Sequence, residues 1–411
     1  MKILHTSDWH VGKVLKGQSR QEEHRAVLSE VVEIARAEQP DLVLVAGDLF
    51  DNSAPSPAAT SLVTGTLSAL RATGAQVVAI AGNHDNGAAL DALRPWAEAA
   101  GITLRGTVRS RTGNIITGTT AAGETWRLVA LPFLSQRYAV RAVDLFELSA
   151  AEAAQTYTDH LARLLAALTE GFTDDGTVNL IMTHLTVVGA KAGGGEREAH
   201  TIQQYAVPAG IFPPSAHYVA LGHLHRAQRV TGPVPARYCG SPLAVDFGEE
   251  DNQPGVTIVQ VKAGGTARTR HVPVRAAVPL RTVRGSLAEL ADQAAEPPDE
   301  DAPAPWLRVY VREQPRAGLR EQVQELLPRA LEVRVDPDLL PTVGGADRRP
   351  ARADRSPGEL FADYLAARGH TDQSVQALFE ELLGETLEAE PMGTEPMETG
   401  TVEAGMGGAG A

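Results

Sequence analysis

Short apolar runs rich in β-branched residues recur along the first 270 residues, and polar side chains follow each of them. The runs are KILHTS, DLVLVAGD, QVVAIAGNHD, VNLIMTH and HYVALGH. Continuous runs of this kind are typical of parallel strands that are buried on both faces. Between them, apolar residues at helical spacing predict amphipathic helices in QEEHRAVLSEVVEIARAEQ and AEAAQTYTDHLARLLAALTE. The alternation of strand and helix predicts an α/β domain over residues 1–270.

The pattern changes between residues 271 and 340, where a smaller β-α-β-α-β unit is predicted. Its strands are PLRTVRG, WLRVYVRE and LEVRVDP, and its helices are SLAELADQA and GLREQVQELL. This stretch has apolar faces of its own and contains no candidate metal ligands. We therefore interpret residues 271–340 as a separate capping domain.

The C-terminal part of the chain predicts a linker, a helix pair and a tail. Residues 341–355 are polar and rich in Arg, and residues 356–384 have helix-start signals at Ser356 and Pro357. Two helices enclose little core, so their apolar faces are predicted to dock on a partner protein. The predicted docking residues are Leu360, Phe361, Tyr364, Leu365, Leu378, Phe379 and Leu382. Residues 385–411 have the composition of a disordered tail.

Composition and charge narrow the classes of function. The single cysteine, Cys239, excludes a disulfide framework within the chain and favours a reducing compartment. No leader or membrane-spanning stretch is visible, so we expect a cytoplasmic protein without membrane contact. The net charge of −14 at first argues against nucleic acid as substrate, but the acidic residues concentrate in EPPDEDAP and in the tail. DNA binding would need a partner or a local basic patch, for which Lys13, Lys16 and Arg20 are the candidates.

Polar residues at the ends of the apolar runs give the strongest chemical signal. Because the carboxyl ends of parallel strands meet at one edge of a sheet, these side chains are expected to converge. Two divalent cations about 3.5–4 Å apart can bind a phosphodiester and activate water for attack. The predicted metal ligands are Asp8 and His10 in SDWH, Asp48 in AGDLFD, Asn83 in AGNHD, His184 in MTHL, and His223 and His225 in GHLH. One such histidine alone would be interpreted as structural, whereas the ordered set indicates a dinuclear site.

The residue types suggest how the two cations are shared. Asp48 is the candidate for a bridging carboxylate. The predicted ligands of the first cation are Asp8, His10, Asp48 and His225, and those of the second are Asp48, Asn83, His184 and His223. Nitrogen and oxygen donors of this kind suit Mn²⁺, Fe²⁺ or Zn²⁺ better than Ca²⁺. His84 is predicted to donate a proton to the leaving oxygen or to stabilise charge on the phosphate, with the carboxylate of Asp51 or Asp85 fixing its tautomer.

The motifs SDWHVG, GDLFD, GNHD, THL and GHLH, followed by YCGSPLAVDFGE, resemble the calcineurin-like metallophosphoesterases, and more narrowly their branch of DNA break-repair nucleases. The resemblance implies a four-layer fold, a β-sandwich flanked by helices, with a capping domain and C-terminal helices that dock on a coiled-coil ATPase. It implies two divalent ions, Mn²⁺ first, with Mg²⁺, Fe²⁺ and Zn²⁺ as alternatives. The implied activity is exonuclease cleavage of duplex ends and endonuclease cleavage of single strands and hairpins.

The resemblance also implies a homodimer paired with two ATPase subunits, located on the nucleoid. The ligands of the family fall on the seven residues named above, and its proton donor falls on His84. Glu196 and Arg197 fall where the family has a charged pair near the site, and the resemblance implies that they contact DNA. They end a Gly-rich stretch, GAKAGGGERE, which predicts a mobile loop with substrate gating as an alternative.

Two other functions are compatible with the same motifs. One is a phosphodiesterase for small molecules, such as cyclic nucleotides, which would use the same two-metal site. The docking helices argue against it, because an enzyme that acts alone has no need of an exposed apolar helix pair. The other is a scaffold on an inactive phosphoesterase fold, against which the complete ligand set argues.

Overall fold

The protein is described by a computed structural model that covers residues 1–110, 112–135, 138–139, 142, 156–196, 206–295, 303–339, 361–362, 364–365 and 374–379. In chain order the strands are β1 (Lys2–Thr6), β2 (Val14–Leu15), β3 (Gln18–Ser19), β4 (Leu42–Val45), β5 (Gln76–Ile80), β6 (Ile102–Arg105), β7 (Ile115–Thr119), β8 (Thr125–Leu131), β9 (Val178–His184), β10 (Thr186–Val187), β11 (Ala206–Val207), β12 (Tyr218–Gly222), β13 (Gln228–Val230), β14 (Ala236–Tyr238), β15 (Gly255–Gln260), β16 (Arg268–Pro273), β17 (Leu280–Gly285), β18 (Trp306–Val311) and β19 (Ala330–Val335). The helices are α1 (Gln21–Glu38), α2 (Pro57–Ala72), α3 (Gly87–Ala92), α4 (Arg94–Ala99), α5 (Tyr157–Thr169), α6 (Leu287–Ala295) and α7 (Leu319–Leu326).

Two six-stranded sheets form the centre of the unit that contains residues 1–340. One has the order β16-β15-β1-β4-β5-β6, and the other has the order β13-β14-β12-β9-β8-β7. Strands β1, β4, β5 and β6 run parallel, as do β8, β9, β12 and β14. The apolar runs that predict strands therefore lie in the parallel parts of both sheets, where each strand is buried.

Alternating side chains divide each central strand between two cores. On β4, Leu42 and Leu44 face the interior between the two sheets, whereas Val43 and Val45 face the helices. This follows from the two-residue period of a strand, which places successive side chains on opposite faces. The same alternation explains why these strands are apolar throughout rather than at every second position. The helices and sheets therefore form four layers, in the order helix, sheet, sheet, helix. This arrangement confirms the expected fold.

Each outer layer is an amphipathic helix or group of helices with a defined start. Helix α1 buries Val27, Leu28 and Val31 against the first sheet, at the spacing that predicts it. Helix α2 begins where the Ser56 side chain accepts a hydrogen bond from the Ala59 main-chain N–H. Helix α5 covers the second sheet and begins with a capping box between Thr156 and Asp159.

The predicted strands and helices of the capping region are all present. Strands β17, β18 and β19 form a parallel sheet, with α6 and α7 in the connections between them. Its core contains Leu290, Val309, Val311 and Val323. The chain divides into two compact units, Met1–Leu340 and Pro341–Ala411, so this sheet belongs to the same unit as the two large ones. Its assignment as a separate capping domain stays a prediction.

Within the second unit, the structure describes part of the predicted helix pair. The rings of Phe361 and Phe379 stack with their centroids 4.0 Å apart, so the two predicted apolar faces meet each other in part. Leu365 is buried, whereas Tyr364 and Leu378 are 53% and 54% exposed. Leu360, Leu382, the predicted linker 341–355 and the predicted tail 385–411 lie outside the described residues. Among the described helices, none combines the length and the apolar character that a membrane crossing requires.

Candidate metal centre

The ends of five parallel strands bring the predicted ligands to one edge of the sandwich. Asp8, Asp48 and Asn83 follow β1, β4 and β5 of one sheet, and His184 ends β9 of the other. The remaining members, His10, His223 and His225, lie in the turns after β1 and β12. All the predicted histidine and aspartate ligands are at most 3% exposed. The structure therefore brings the predicted ligands together at this edge.

The buried side chains form two clusters of three. Ligand atoms of Asp8, His10 and His225 lie within 4.8 Å of one another, and so do those of Asp48, His184 and His223. Asp48 lies between them, with Oδ2 at 3.7 Å from His10 Nε2 and at 3.3 Å from His184 Nε2. A third triple within the same limit contains His10, Asp48 and His84. This is the placement expected of a carboxylate shared by two cations.

The Asn83 side chain joins the second cluster through its oxygen. Asn83 Oδ1 lies 2.9 Å from His184 Nε2 and 2.8 Å from His223 Nδ1. In the first cluster, His10 Nε2 and His225 Nε2 face each other at 3.0 Å. Imidazole nitrogens and carboxylate or amide oxygens that converge in a buried space are the donors that divalent transition metals prefer. The donor set therefore fits two divalent cations.

Four candidate ligands have strained backbone conformations. The φ angles of Asp8, His10, Asp48 and His223 are 55°, 48°, 52° and 101°, in the left-handed region that residues other than glycine rarely adopt. Such conformations cost roughly 1–3 kcal/mol each and persist only where surrounding bonds hold them. Here the Asp8 N–H donates to the Gly47 carbonyl at 2.9 Å, and the His223 N–H donates to Asp8 Oδ1 at 3.0 Å.

Two glycines in the motifs are required by close packing around Asp48 and His184. A Cβ atom on Gly82 would lie 2.2 Å from Asp48 Oδ1, and one on Gly47 would lie 2.4 Å from His184 Nδ1. Gly47 also has a φ of 94°, which favours glycine. Gly82 therefore allows the loops after β4 and β5 of the first sheet to approach each other, and Gly47 allows the first sheet to approach His184 of the second.

His84 is oriented by a main-chain carbonyl. Its Nδ1 lies 2.8 Å from the carbonyl oxygen of Asp51, and because a carbonyl only accepts, Nδ1 carries the proton. The His84 main-chain N–H donates to Asp48 Oδ1 at 2.8 Å. The His84 ring packs edge-on against the His10 ring, with centroids 4.6 Å apart. This ring therefore lies beside the first cluster with its Nε2 directed away from Asp51.

The prediction that a carboxylate of Asp51 or Asp85 fixes the His84 tautomer is not supported by these contacts. The Asp51 carboxylate lies 3.6 Å from His10 Nδ1 and 3.2 Å from the Lys13 ammonium. The Asp85 carboxylate accepts main-chain N–H groups from Leu49, Phe50 and Gly82, at 3.1, 2.9 and 2.9 Å. Asp85 thus fastens the loop after β4 to the loop after β5.

Neighbouring carboxylates favour the charged form of two predicted ligands, His184 and His225. Burial alone would lower the pKa of His184, but the carboxylates of Asp48 and Asp8 outweigh it and raise that pKa to about 9. Burial likewise opposes the charge on His225, yet the Glu249 carboxylate raises the pKa of His225 to about 10. Burial lowers the pKa of His10 to about 3, so His10 is neutral. A cation must therefore displace protons from His184 and His225.

One residue of the site was missed by the sequence analysis. The Glu249 carboxylate accepts from His225 Nδ1 at 2.7 Å and is 1% exposed. Glu249 lies at the end of YCGSPLAVDFGE, so the motif that carries the family resemblance contained the signal. It was missed because nothing in the sequence pairs a glutamate with a histidine 24 residues earlier.

The predicted DNA contacts have different surroundings in the structure. Arg20 is fully buried, donating to the Ala244 carbonyl at 2.9 Å and pairing with Glu23, so it does not belong to an exposed basic patch. Lys13 pairs with Asp51, and Lys16 lies 3.6 Å from the Glu332 carboxylate. The Glu196 carboxylate accepts main-chain N–H groups, so it has a structural role here. Arg197 lies outside the described residues.

Comparison with known proteins gives an independent view of this arrangement. Residues 1–227 match the calcineurin-like phosphoesterase family, and residues 276–369 match the family described as type 5 capsule protein repressor C-terminal domain. The SbcD subunit of the SbcCD nuclease of Escherichia coli K12 is 31% identical over 410 residues, 94% of this chain and 98% of that protein. The protein of the same name from Rhodobacter capsulatus is 37% identical over 334 residues, 76% of this chain and 80% of that protein. A solved dimetal phosphatase from Danio rerio aligns with a TM-score of 0.38 and 13% identity, over 66% of this chain and 98% of that one.

The four-layer fold and the buried donor clusters at one edge of it define a metallophosphoesterase with two divalent metal ions. At 31% identity across nearly its full length, the chain belongs to the SbcD family within the calcineurin-like phosphoesterases.

Metal binding is predicted to release protons at neutral pH. Because the pKa values of His184 and His225 are raised to about 9 and 10, both side chains hold an extra proton at pH 7. Binding of two cations should release about two protons per chain, and apparent affinity should rise as pH increases toward 9. Titration calorimetry in buffers with different ionisation enthalpies measures this release. A heat of binding that is the same in all buffers would contradict the prediction.

Asp85→Asn is predicted to destabilise the protein without removing any predicted ligand. The amide has one acceptor oxygen and turns an NH₂ group toward main-chain donors that the carboxylate satisfies in the native protein. We expect the free energy of unfolding to fall by about 1–3 kcal/mol in urea titrations without metal. Asp174→Asn, at an exposed position, is the control. Equal stability of both variants would contradict the prediction.

Proposed function

We propose that this protein is the nuclease subunit of an SbcCD-type complex and hydrolyses DNA phosphodiesters at two Mn²⁺ ions. It would cut duplex ends as an exonuclease and single strands and hairpins as an endonuclease. The observation that carries the proposal is the pair of buried donor clusters with the Asp48 carboxylate between them. Membership of the SbcD family supports DNA as the substrate.

The chain supplies positioning and proton transfer. Asp8, His10, Asp48 and His225 would hold one cation, and Asp48, Asn83, His184 and His223 would hold the other. When bound, the two cations supply Lewis acidity toward the phosphate and lower the pKa of a water molecule. His84 donates a proton from Nε2 to the leaving oxygen, while its Nδ1 remains bonded to the Asp51 carbonyl. Oxygen and imidazole donors without thiolate suit Mn²⁺, and they would also accept Fe²⁺, Zn²⁺ or Mg²⁺.

His84→Ala is predicted to abolish most cleavage while leaving two metals bound. Loss of one general acid lowers the rate by about 10²–10⁴-fold. The assay measures cleavage of end-labelled duplex and hairpin DNA with Mn²⁺, and metal content is measured on the same samples. His160→Ala, on helix α5, is the matched control, and a chelator removes the metals.

The outcomes separate the alternatives. If His84→Ala loses metal together with activity, His84 is a ligand, a role allowed by its place in the third triple of donors. If the native protein binds two metals and hydrolyses a small phosphodiester but leaves DNA intact in the presence of its partner, the small-molecule phosphodiesterase is correct. If the native protein binds no divalent metal, the inactive scaffold is correct.

We also propose that the C-terminal helices dock on a coiled-coil ATPase of the SbcC type, in a heterotetramer with two copies of each chain. The name of the relatives describes a subunit of a complex, which supports a partner of this kind. The exposed side chains of Tyr364 and Leu378 support the docking surface, because they leave apolar area open beside the Phe361–Phe379 contact.

The double variant Tyr364→Asp and Leu378→Asp is predicted to lose the ATPase partner. Two carboxylates in an apolar interface would remain desolvated and unpaired, which weakens binding by more than an order of magnitude. Co-elution with the purified ATPase in size-exclusion chromatography tests this, with Mn²⁺-dependent cleavage of short DNA unchanged. Val14→Asp, at another exposed apolar position, is the control. Normal co-elution of the double variant would place the interface elsewhere.

A further inference from the structure

The Gly-rich stretch after His184 is fastened directly to the GHLH motif. We call residues Gly193–Glu196 the glycine loop. Glu196 Oε1 accepts the main-chain N–H of His225 at 2.9 Å and that of Gly193 at 2.6 Å, and Oε2 accepts the Gly194 N–H at 2.8 Å. One carboxylate thus folds the loop on itself and binds it to the main chain of a predicted metal ligand.

A second carboxylate holds the ring of the same histidine. Glu249 Oε1 accepts from His225 Nδ1 at 2.7 Å, and Glu249 Oε2 accepts from the Val245 N–H at 3.0 Å. With Nδ1 engaged in this way, Nε2 is directed at His10 and the first cluster. Histidine ligands are commonly oriented by a carboxylate on their other nitrogen, and the removal of that carboxylate weakens metal binding.

The glycine loop encloses the Glu249–His225 pair. A Cβ atom on Gly195 would lie 1.7 Å from Glu249 Oε1 and 3.1 Å from His225 Nδ1. A Cβ atom on Gly194 would lie 2.5 Å from the Gly248 carbonyl oxygen. Because Gly194 and Gly195 have no side chains, the loop backbone can lie against Glu249 and His225 and shield them from water. This shielding strengthens the hydrogen bond between Glu249 and His225.

We propose that the glycine loop and Glu249 form a positioning device for His225, so that the loop conformation controls metal occupancy of the Asp8–His10–His225 cluster. In the second cluster, His184 Nδ1 donates to the Ala46 carbonyl at 2.7 Å, a main-chain group rather than a carboxylate. The device therefore acts on one of the two metal positions. This inference rests on the proposed two-metal function.

The decisive variant is Gly195→Ala, which adds one methyl group against Glu249 and changes no polar atom. The φ of Gly195 lies outside the left-handed region, so an alanine fits the backbone there. The added methyl group therefore strains only the contact with Glu249 and His225. Glu249→Gln removes the negative charge that faces His225 Nδ1, and Glu196→Gln weakens the attachment of the loop. The controls are Ala192→Ser, an exposed position in the same stretch, and Glu250→Gln, an exposed neighbour of Glu249.

The test measures stepwise Mn²⁺ binding by calorimetry and electron paramagnetic resonance on the full chain. We expect Gly195→Ala and Glu249→Gln to weaken one of the two binding steps by about 10–100-fold and to convert the signal of a coupled metal pair to that of a single ion. The other step and both controls should be unchanged. Thermal unfolding of the metal-free proteins identifies any variant that has lost its fold.

Each outcome has a distinct meaning. Two normal binding steps in folded Gly195→Ala and Glu249→Gln would overturn the inference and leave the two-metal function intact. Equal weakening of both steps would also overturn it, because the device would then act on the whole site. A native protein without two Mn²⁺ sites would refute the proposed function itself, before any variant is compared.

Discussion

The carboxylate of Asp48 is the constraint on which the rest of the site depends. It is 1% exposed, and its two oxygens have different tasks. Oδ1 accepts the main-chain N–H of His84, and Oδ2 faces the imidazoles of His10 and His184. Burial opposes the charge on Asp48, but the charged His184 imidazole outweighs it and holds the pKa of Asp48 well below its usual range. A buried anion of this kind is stable only with such partners, so the two sheet edges must meet around it.

The strain in the backbone shows how firmly this edge is held. Four predicted ligands have positive φ angles, and hydrogen bonds between the strand-end turns keep them there. The energy for this comes from the large apolar cores on either side of the sheets, in which every residue of β9 and β12 is buried. The rigid sandwich therefore lets a small group of strained turns keep fixed positions, which is what a site for two cations requires.

Much of the fold and most of the site can be predicted from sequence, because their signals are local. Apolar runs predict the strands, and polar residues at strand ends converge by the geometry of parallel sheets. Contacts between distant segments have no such signal. The Asp51 carbonyl that orients His84 is a main-chain group, which no side-chain pattern reveals. Arg20 resembled a surface cation beside two lysines, yet the Ala244 carbonyl, 224 residues later, holds its guanidinium in the interior.

The same contacts bear on how a chain with a net charge of −14 would bind a polyanion. Lys13 and Lys16, near the site, already pair with Asp51 and Glu332, and Arg20 is buried. Because these cations are already paired or buried, we expect them to contribute little if the protein binds DNA. If the proposed function is correct, two divalent cations would offset the charges of Asp8 and Asp48 and make this edge locally positive. Metal would then be needed to bind the scissile phosphate as well as to cleave it, while the rest of the DNA-binding surface would come from the partner.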